Sequence, residues 1–172
     1  HPGWQVEFNE GTGLPHRAYG PPIAVPGASP EQRADDFLRS LAERFGIPWN
    51  ELQRSALRAT SKGVFVHYEQ VRQGIPVIAG HAMVKLDAQQ RVIAFALDVL
   101  PVGASTAQQL VDLPQAVAIA ASGLEQVERS ESMGLRWLPI PAGRSVDVRL
   151  VWDVRIENRD KERPQQYQCW VD

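Results

Sequence analysis

The fold prediction begins at the segment Val64-Phe65-Val66-His67-Tyr68-Glu69-Gln70-Val71-Arg72-Gln73-Gly74-Ile75-Pro76-Val77-Ile78. Every second side chain from position 64 to 68 is apolar or aromatic, which is the pattern of a strand with one buried face. Gln73-Gly74 supplies a turn, because glycine tolerates the backbone conformations of tight turns. Pro76 has no N–H to donate, so it belongs at a strand start, an edge or a bulge. The segment therefore predicts two strands joined by a short turn.

The strand pattern continues on both sides of this hairpin. Ala82, Val84 and Leu86 occupy alternate positions, and a polar link then opens a further strand from Arg91 to Val99. Short strands joined by short turns predict an antiparallel sheet, here over about residues 51–99.

A helix with one apolar face is predicted before the sheet. Ser29 is a favourable N-cap, Pro30 suits the first helical position, and Gln32 completes a capping box. Gly46 and then Pro48 end the helix. Its buried face is predicted to consist of residues at helical spacing: Ala34, Phe37, Leu38, Leu41, Ala42 and Phe45.

The first thirty residues contain many glycines and prolines. A short strand is predicted from Trp4 to Phe8, where apolar and polar residues alternate. The rest of this region, rich in turn-forming residues, is predicted as a lead-in that wraps a core formed later in the chain.

A second set of elements is predicted in the second half of the chain. A linker at Pro101–Thr106 precedes a helix that begins near Asp112 and continues, by apolar spacing, to Val127. A strand from Val146 to Ile156 and a last strand from Gln165 to Val171 are predicted to form a hairpin with one solvent-exposed face.

The order of helix, strands, linker, helix and strands is typical of α+β architecture. We therefore expect two small units, residues 1–100 and 101–172, each a helix packed on an antiparallel sheet.

Composition narrows the classes of function. The 172 residues carry a formal net charge of -2 and no basic stripe, so nucleic acid is a poor candidate partner. No apolar run is long enough for a membrane span. The single cysteine, Cys169, excludes an internal disulfide and is expected to be a small buried apolar residue.

No short motif for catalysis or metal binding is present. The four histidines are His1, His16, His67 and His81, and no two of them have the H-E-x-x-H spacing of a zinc peptidase. No nucleophile elbow and no phosphate-binding loop occur. We therefore assign no catalytic residue, no metal ligand and no cofactor to this chain. One alternative stays open, in which His67 and His81 approach each other and form a metal site with an unnamed third ligand.

The segment from Phe65 to Val77 resembles the signature of the fungalysin/thermolysin propeptide (FTP) domain, which contains a Gln and then Gly-Ile-Pro-Val. The second half resembles a PepSY-type module in three places: Leu113–Ala120, Leu150–Ile156 and Tyr167–Asp172. The two resemblances follow the order of a peptidase prosegment and together cover about residues 30–172.

The resemblance implies a cystatin-like or PepSY-like fold and a prosegment of a secreted zinc metallopeptidase. Such a prosegment is implied to be a chaperone and inhibitor of its own catalytic domain, which holds the zinc, and not an enzyme itself. The alternative is a free-standing secreted protein-binding module. The positions carried over from the motif are expected to be structural, with contacts to the enzyme as the other interpretation: His67, Gln70, Gly74, Pro76 and His81.

Overall fold

The computed structural model describes residues 2–100, 111–124, 126–142, 145–158 and 165–172. The predicted linker at Pro101–Thr106 lies outside these residues. The described part is α+β, with two α-helices and largely antiparallel strands. No described helix has the length and apolar character to cross a membrane. The chain divides into two compact units, one of residues 1–104 and 141–146, the other of residues 105–140 and 147–172.

The first unit is one helix on an antiparallel sheet, with strands in the order β1-β2-β6-β5-β4-β3. A short 3₁₀ helix at Trp49–Glu51 leads into β3. The other elements are β1 (Gln5–Phe8), β2 (Pro15–Ile23), α1 (Pro30–Phe45), β3 (Leu52–Thr60), β4 (Gly63–Arg72), β5 (Ile75–Leu86) and β6 (Val92–Asp98).

Helix α1 covers one face of this sheet, and four of the six predicted stripe residues are buried: Ala34, Phe37, Leu38 and Ala42. They join a core with sheet residues such as Val66, Val84, Leu86 and Leu97. Since successive strand residues point to opposite faces, the side chains between them lie on the face away from α1. The predicted apolar stripe is confirmed.

The predicted capping box of α1 is only half formed. Ser29 Oγ accepts a hydrogen bond from the Gln32 amide at 3.3 Å, as predicted. The Gln32 side chain, however, accepts from the amide of Ala28 at 2.8 Å instead of returning to Ser29. At the other end Gly46 has a left-handed backbone, with φ 68°, and its N–H donates to Ala42 O.

Strand β2 corrects the prediction of a turn-rich lead-in. Residues 17–19 pair with residues 94–96 of β6, and the ladder then breaks before Ile23. Pro21 and Pro22 have no N–H for the ladder, which explains the break. Gly20 is required there because a Cβ would lie 2.5 Å from the ring of Trp4. The glycines and prolines of this segment therefore indicated turns where pairing with β1 and β6 produces a strand.

The second unit contains α2 (Leu113–Ala121), β9 (Gln165–Val171) and all but two residues each of β7 (Val127–Ala142) and β8 (Ser145–Asn158). Asp112 and Gln115 form a complete capping box at the start of α2. Ala116 packs on Val154, Ile156 and Val171, with Cys169 half-buried against the same cluster.

The predicted extent of α2 is wrong beyond Ala121. Ser122 is the C-cap with an extended backbone, and Gly123 has a left-handed one with φ 80°. Val127 therefore begins β7 instead of extending the helix. The predicted hairpin of β8 and β9 is confirmed, with Trp152 opposite Val171 and Asn158 opposite Gln165.

A buried tyrosine links α1 to strand β4 of the sheet. Tyr68 on β4 is 1% exposed, and its hydroxyl donates to Asp35 Oδ1 at 2.8 Å. Burial raises the pKa of Tyr68 above its ordinary value, and the hydrogen bond to the Asp35 carboxylate raises it further. The folded state therefore keeps this phenol protonated at pH values where the unfolded chain loses the proton.

This shift predicts an alkaline loss of stability. Above about pH 10 the unfolded chain binds fewer protons than the native chain, so the free energy of unfolding falls as pH rises. Tyr68→Phe should lose about 1.5 kcal/mol at neutral pH, because the hydrogen bond to a carboxylate is gone. It should also lose less stability than the parent between about pH 9 and pH 11. Urea unfolding across this pH range measures both effects.

Tyr19→Phe is the matched control, because Tyr19 is 54% exposed. The free energy of unfolding of this variant should depend on pH as that of the parent does. Equal alkaline slopes for the parent and Tyr68→Phe would contradict the expected role of Tyr68.

Candidate functional site

The hairpin of β4 and β5 carries the motif residues identified in the sequence. Gln73 and Gly74 both have left-handed backbones, with φ 52° and 80°, which is the combination that tight two-residue hairpin turns require. Pro76 lies opposite Val71, next to a break in register between Glu69 and Val71. Gly74 and Pro76 therefore determine the geometry of the turn and of the bulge beside it.

Gln70 is fully buried at 0% exposure on the same hairpin. Its side-chain oxygen accepts from the Leu100 amide at 2.8 Å, and its side-chain nitrogen donates to the Leu100 carbonyl at 3.1 Å. The amide thus pairs with one backbone residue through both groups, as a neighbouring strand would. It attaches the segment after β6 to β4.

The Gln70 side chain also belongs to a charged cluster. Its nitrogen donates to Glu51 Oε2 at 2.7 Å, and Arg72 Nε donates to Glu51 Oε1 at 3.0 Å. Arg72 is only 6% exposed, so its charge needs the carboxylate that faces it. We call Glu51, Gln70, Arg72 and Leu100 the Gln70 cluster.

Gly80 makes room for this cluster. A Cβ at Gly80 would lie 2.7 Å from the Cβ of Val77 and 3.0 Å from that of Gln70. A larger residue would push one of these side chains out of place. Gly80 lies three residues beyond the Phe65–Val77 segment, and no local sequence pattern distinguishes it.

His67 and His81 do not form a pair with each other. His67 lies opposite Met83 and His81 opposite Glu69, so the two histidines are offset along the hairpin. The half-buried His67 ring stacks on Phe65 with centroids 6.4 Å apart. In place of the alternative in which His67 and His81 share a metal site, the structure gives each ring its own contacts.

His81 instead meets Asp98, and so does His16 from β2. His81 Nε2 lies 3.3 Å from Asp98 Oδ2, and its Nδ1 lies 2.9 Å from the Ala79 carbonyl. His16 Nδ1 is 2.5 Å from Asp98 Oδ1, although this contact lacks hydrogen-bond geometry. No three His, Cys, Asp or Glu side chains are placed to hold a metal within the described ranges.

Strand β3 is an edge of the sheet. In the described part of the chain it pairs only with β4, and eight of its nine residues are exposed. Leu57 is 45% exposed, and the strand carries two arginines, Arg54 and Arg58. An edge of this kind presents backbone donors and acceptors to a partner strand.

Comparisons with known proteins add little. No family model matches the chain, and no curated protein matches its sequence. Among solved structures it is similar to the Bacillus megaterium YpeB C-terminal domain, with 12% identity and a TM-score of 0.39. The match covers 93% of this chain and 68% of that one. A likeness at these values assigns neither a family nor a function.

The Gln70 cluster generates a stability prediction. Gln70→Leu removes the partner of the Leu100 amide and carbonyl in a buried place and should lower the free energy of unfolding by about 2–4 kcal/mol. Urea unfolding monitored by circular dichroism measures the change.

Gln53→Leu is the matched control, because Gln53 is exposed on the edge strand β3. Its free energy of unfolding should stay within about 0.5 kcal/mol of the parent. Similar decreases in the free energy of unfolding for the two variants would show that the buried Gln70 amide does not stabilise the fold more than an exposed one.

Proposed function

We propose that this chain is the prosegment of a secreted zinc metallopeptidase, acting as an intramolecular chaperone and inhibitor of the catalytic domain. The observation that carries the proposal is the hairpin at residues 65–77, the segment that resembles the FTP signature. Its Gln, Gly and Pro each have a distinct structural role, since Gln70 pairs with the Leu100 backbone while Gly74 and Pro76 form the turn and bulge.

The proposal also assigns a fold type to each of the two units. One helix packs on strands in each unit, α1 in the first and α2 in the second. We infer a cystatin-like first unit and a PepSY-like second unit. Two rigid helix-on-sheet units provide a preformed surface, and a preformed surface binds with a smaller loss of conformational entropy.

The physical basis of both activities is binding to a native partner. A prosegment that binds the folded catalytic domain but not the unfolded chain stabilises the fold by mass action. A catalytic zinc keeps one coordination position open for water and substrate, so covering that position stops hydrolysis. The zinc belongs to the partner in this proposal, and this chain holds no cofactor.

The edge strand β3 and the sheet face away from α1 form the proposed contact surface. A strand of the catalytic domain would add to the free edge of β3 through backbone hydrogen bonds. Leu57 pairs with Val66 and so lies on the α1 side of β3, where it would be an apolar contact beside the added strand. His67 and His81 lie on the adjoining open face, on the side opposite the buried Val66 and Tyr68.

The test uses the zinc metallopeptidase domain encoded with this chain, refolded with and without the chain supplied separately. We expect a higher yield of native enzyme and inhibition of peptide hydrolysis. Leu57→Asp should weaken inhibition about tenfold, because a buried apolar contact would become a charge. The measurement is the inhibition constant against a fluorogenic peptide.

Ile119→Asp is the matched control, since Ile119 is 50% exposed, close to the 45% of Leu57, but lies on α2. A catalytic domain that folds and stays inactive to the same degree without the chain would refute the prosegment role. Binding to a different protein, with no metallopeptidase encoded beside the chain, would favour the free-standing module.

A further inference from the structure

An apolar groove lies between α1 and β1 in the first unit. Its volume is about 690 Å³, which falls within the range of small-molecule sites. We call it the α1–β1 groove, and its apolar lining includes Trp4, Phe8, Phe37, Leu41, Phe45 and Phe95. We propose that this groove binds a single-chain amphiphile with an anionic head group, of which a free fatty acid is the simplest form.

The floor of the groove is a fixed aromatic cluster. The rings of Trp4 and Phe95 stack with centroids 6.0 Å apart, and Phe37 lies 5.5 Å from Phe95. The Trp4 indole N–H donates to the Pro21 carbonyl at 2.9 Å, and its ring lies against Gly20. These contacts hold the floor in place before any ligand arrives.

The wall formed by β1 leaves apolar side chains in water. Val6 is 42% exposed and Phe8 is 56% exposed, and both line the groove. They occupy alternate positions on a four-residue strand, so they point to the same side. An apolar chain in the groove would remove this surface from water, which is the driving force expected for an acyl tail.

The polar lining comes from one stripe of α1: Asp36, Ser40 and Arg44, spaced four residues apart. Asp36 is paired with Arg39 at 3.4 Å, and the Ser40 hydroxyl donates to the Phe37 carbonyl at 2.7 Å. Arg44 stacks over the Phe45 ring at 5.6 Å and has no carboxylate within ion-pair distance among the described residues. The groove therefore presents one uncommitted positive charge.

The charge of Arg44 determines that the head group of the ligand is anionic and at which end of the groove it binds. Arg44 lies about 12 Å along the helix from Asp36, so a head group at Arg44 is remote from that carboxylate. The full charge of Arg44 exceeds the roughly half negative charge of the helix C-terminus beside it. An anionic head thus belongs at Arg44, with the tail directed along the aromatic floor. This inference is independent of the proposed function.

Titration calorimetry of the 172-residue chain with laurate, below its micelle concentration, tests the site. We expect saturable binding at one site and weaker binding of dodecanol, which lacks the charge. Arg44→Gln should reduce laurate affinity about tenfold and leave dodecanol affinity nearly unchanged. Ser40→Trp places a ring in the groove from an exposed helix position and should abolish binding of both probes.

Arg58→Gln, on the distant strand β3, is the control and should bind laurate like the parent. Circular dichroism and urea unfolding establish that each variant is folded. Absence of saturable laurate binding, or equal affinities for the parent, Arg44→Gln and Ser40→Trp, would overturn the proposal. Sedimentation with anionic phospholipid vesicles separates the two sources of such a ligand, and binding to vesicles without binding to monomeric laurate would also overturn it.

Discussion

The first unit depends on a buried amide that bonds like a strand. Gln70 presents both a donor and an acceptor to the backbone of Leu100, and it is fully excluded from water. Two unmet backbone groups in such a place would each cost about 1–3 kcal/mol. The chain after β6 is therefore held beside β4 by two hydrogen bonds from one side-chain amide.

This constraint extends to neighbouring residues. The Gln70 nitrogen also meets Glu51, and Glu51 in turn neutralises the nearly buried Arg72. Gly80 must stay small because a Cβ would crowd Gln70 and Val77. One polar side chain thus links the 3₁₀ helix, both strands of the motif hairpin and the end of β6. The residue types at Gln70, Gly74 and Pro76 are therefore explained by hydrogen bonding and backbone geometry within the first unit, without any contact to a partner.

Sequence patterns predicted the elements whose structure depends on neighbouring residues. They did not predict strand pairings and side-chain contacts that involve residues distant in the sequence. The α1 stripe and the β8–β9 hairpin follow from spacing alone, so the sequence was sufficient for them. Strand β2 is fixed by pairing with β6, against the preference of its own Gly-Pro-Pro, and no local pattern reveals that. The meeting of His16 and His81 at Asp98 has the same origin, because it depends on the order β2-β6-β5. The partner of Gln70 was equally hidden, since residue 100 lies thirty positions away.

The α1 side and the far edge of the first sheet have different physical roles, and this difference separates its two proposed sites. On the α1 side, the helix and the sheet share a buried apolar core, and beside β1 Val6 and Phe8 remain exposed to water. That exposed surface suits an apolar chain, because burial there needs no backbone hydrogen bonds. At the far edge of the sheet, strand β3 pairs only with β4 among the described residues, and its outer backbone groups suit an extended protein segment. Since the two sites use different strands and different forces, a ligand in the groove and a partner on the edge need not compete.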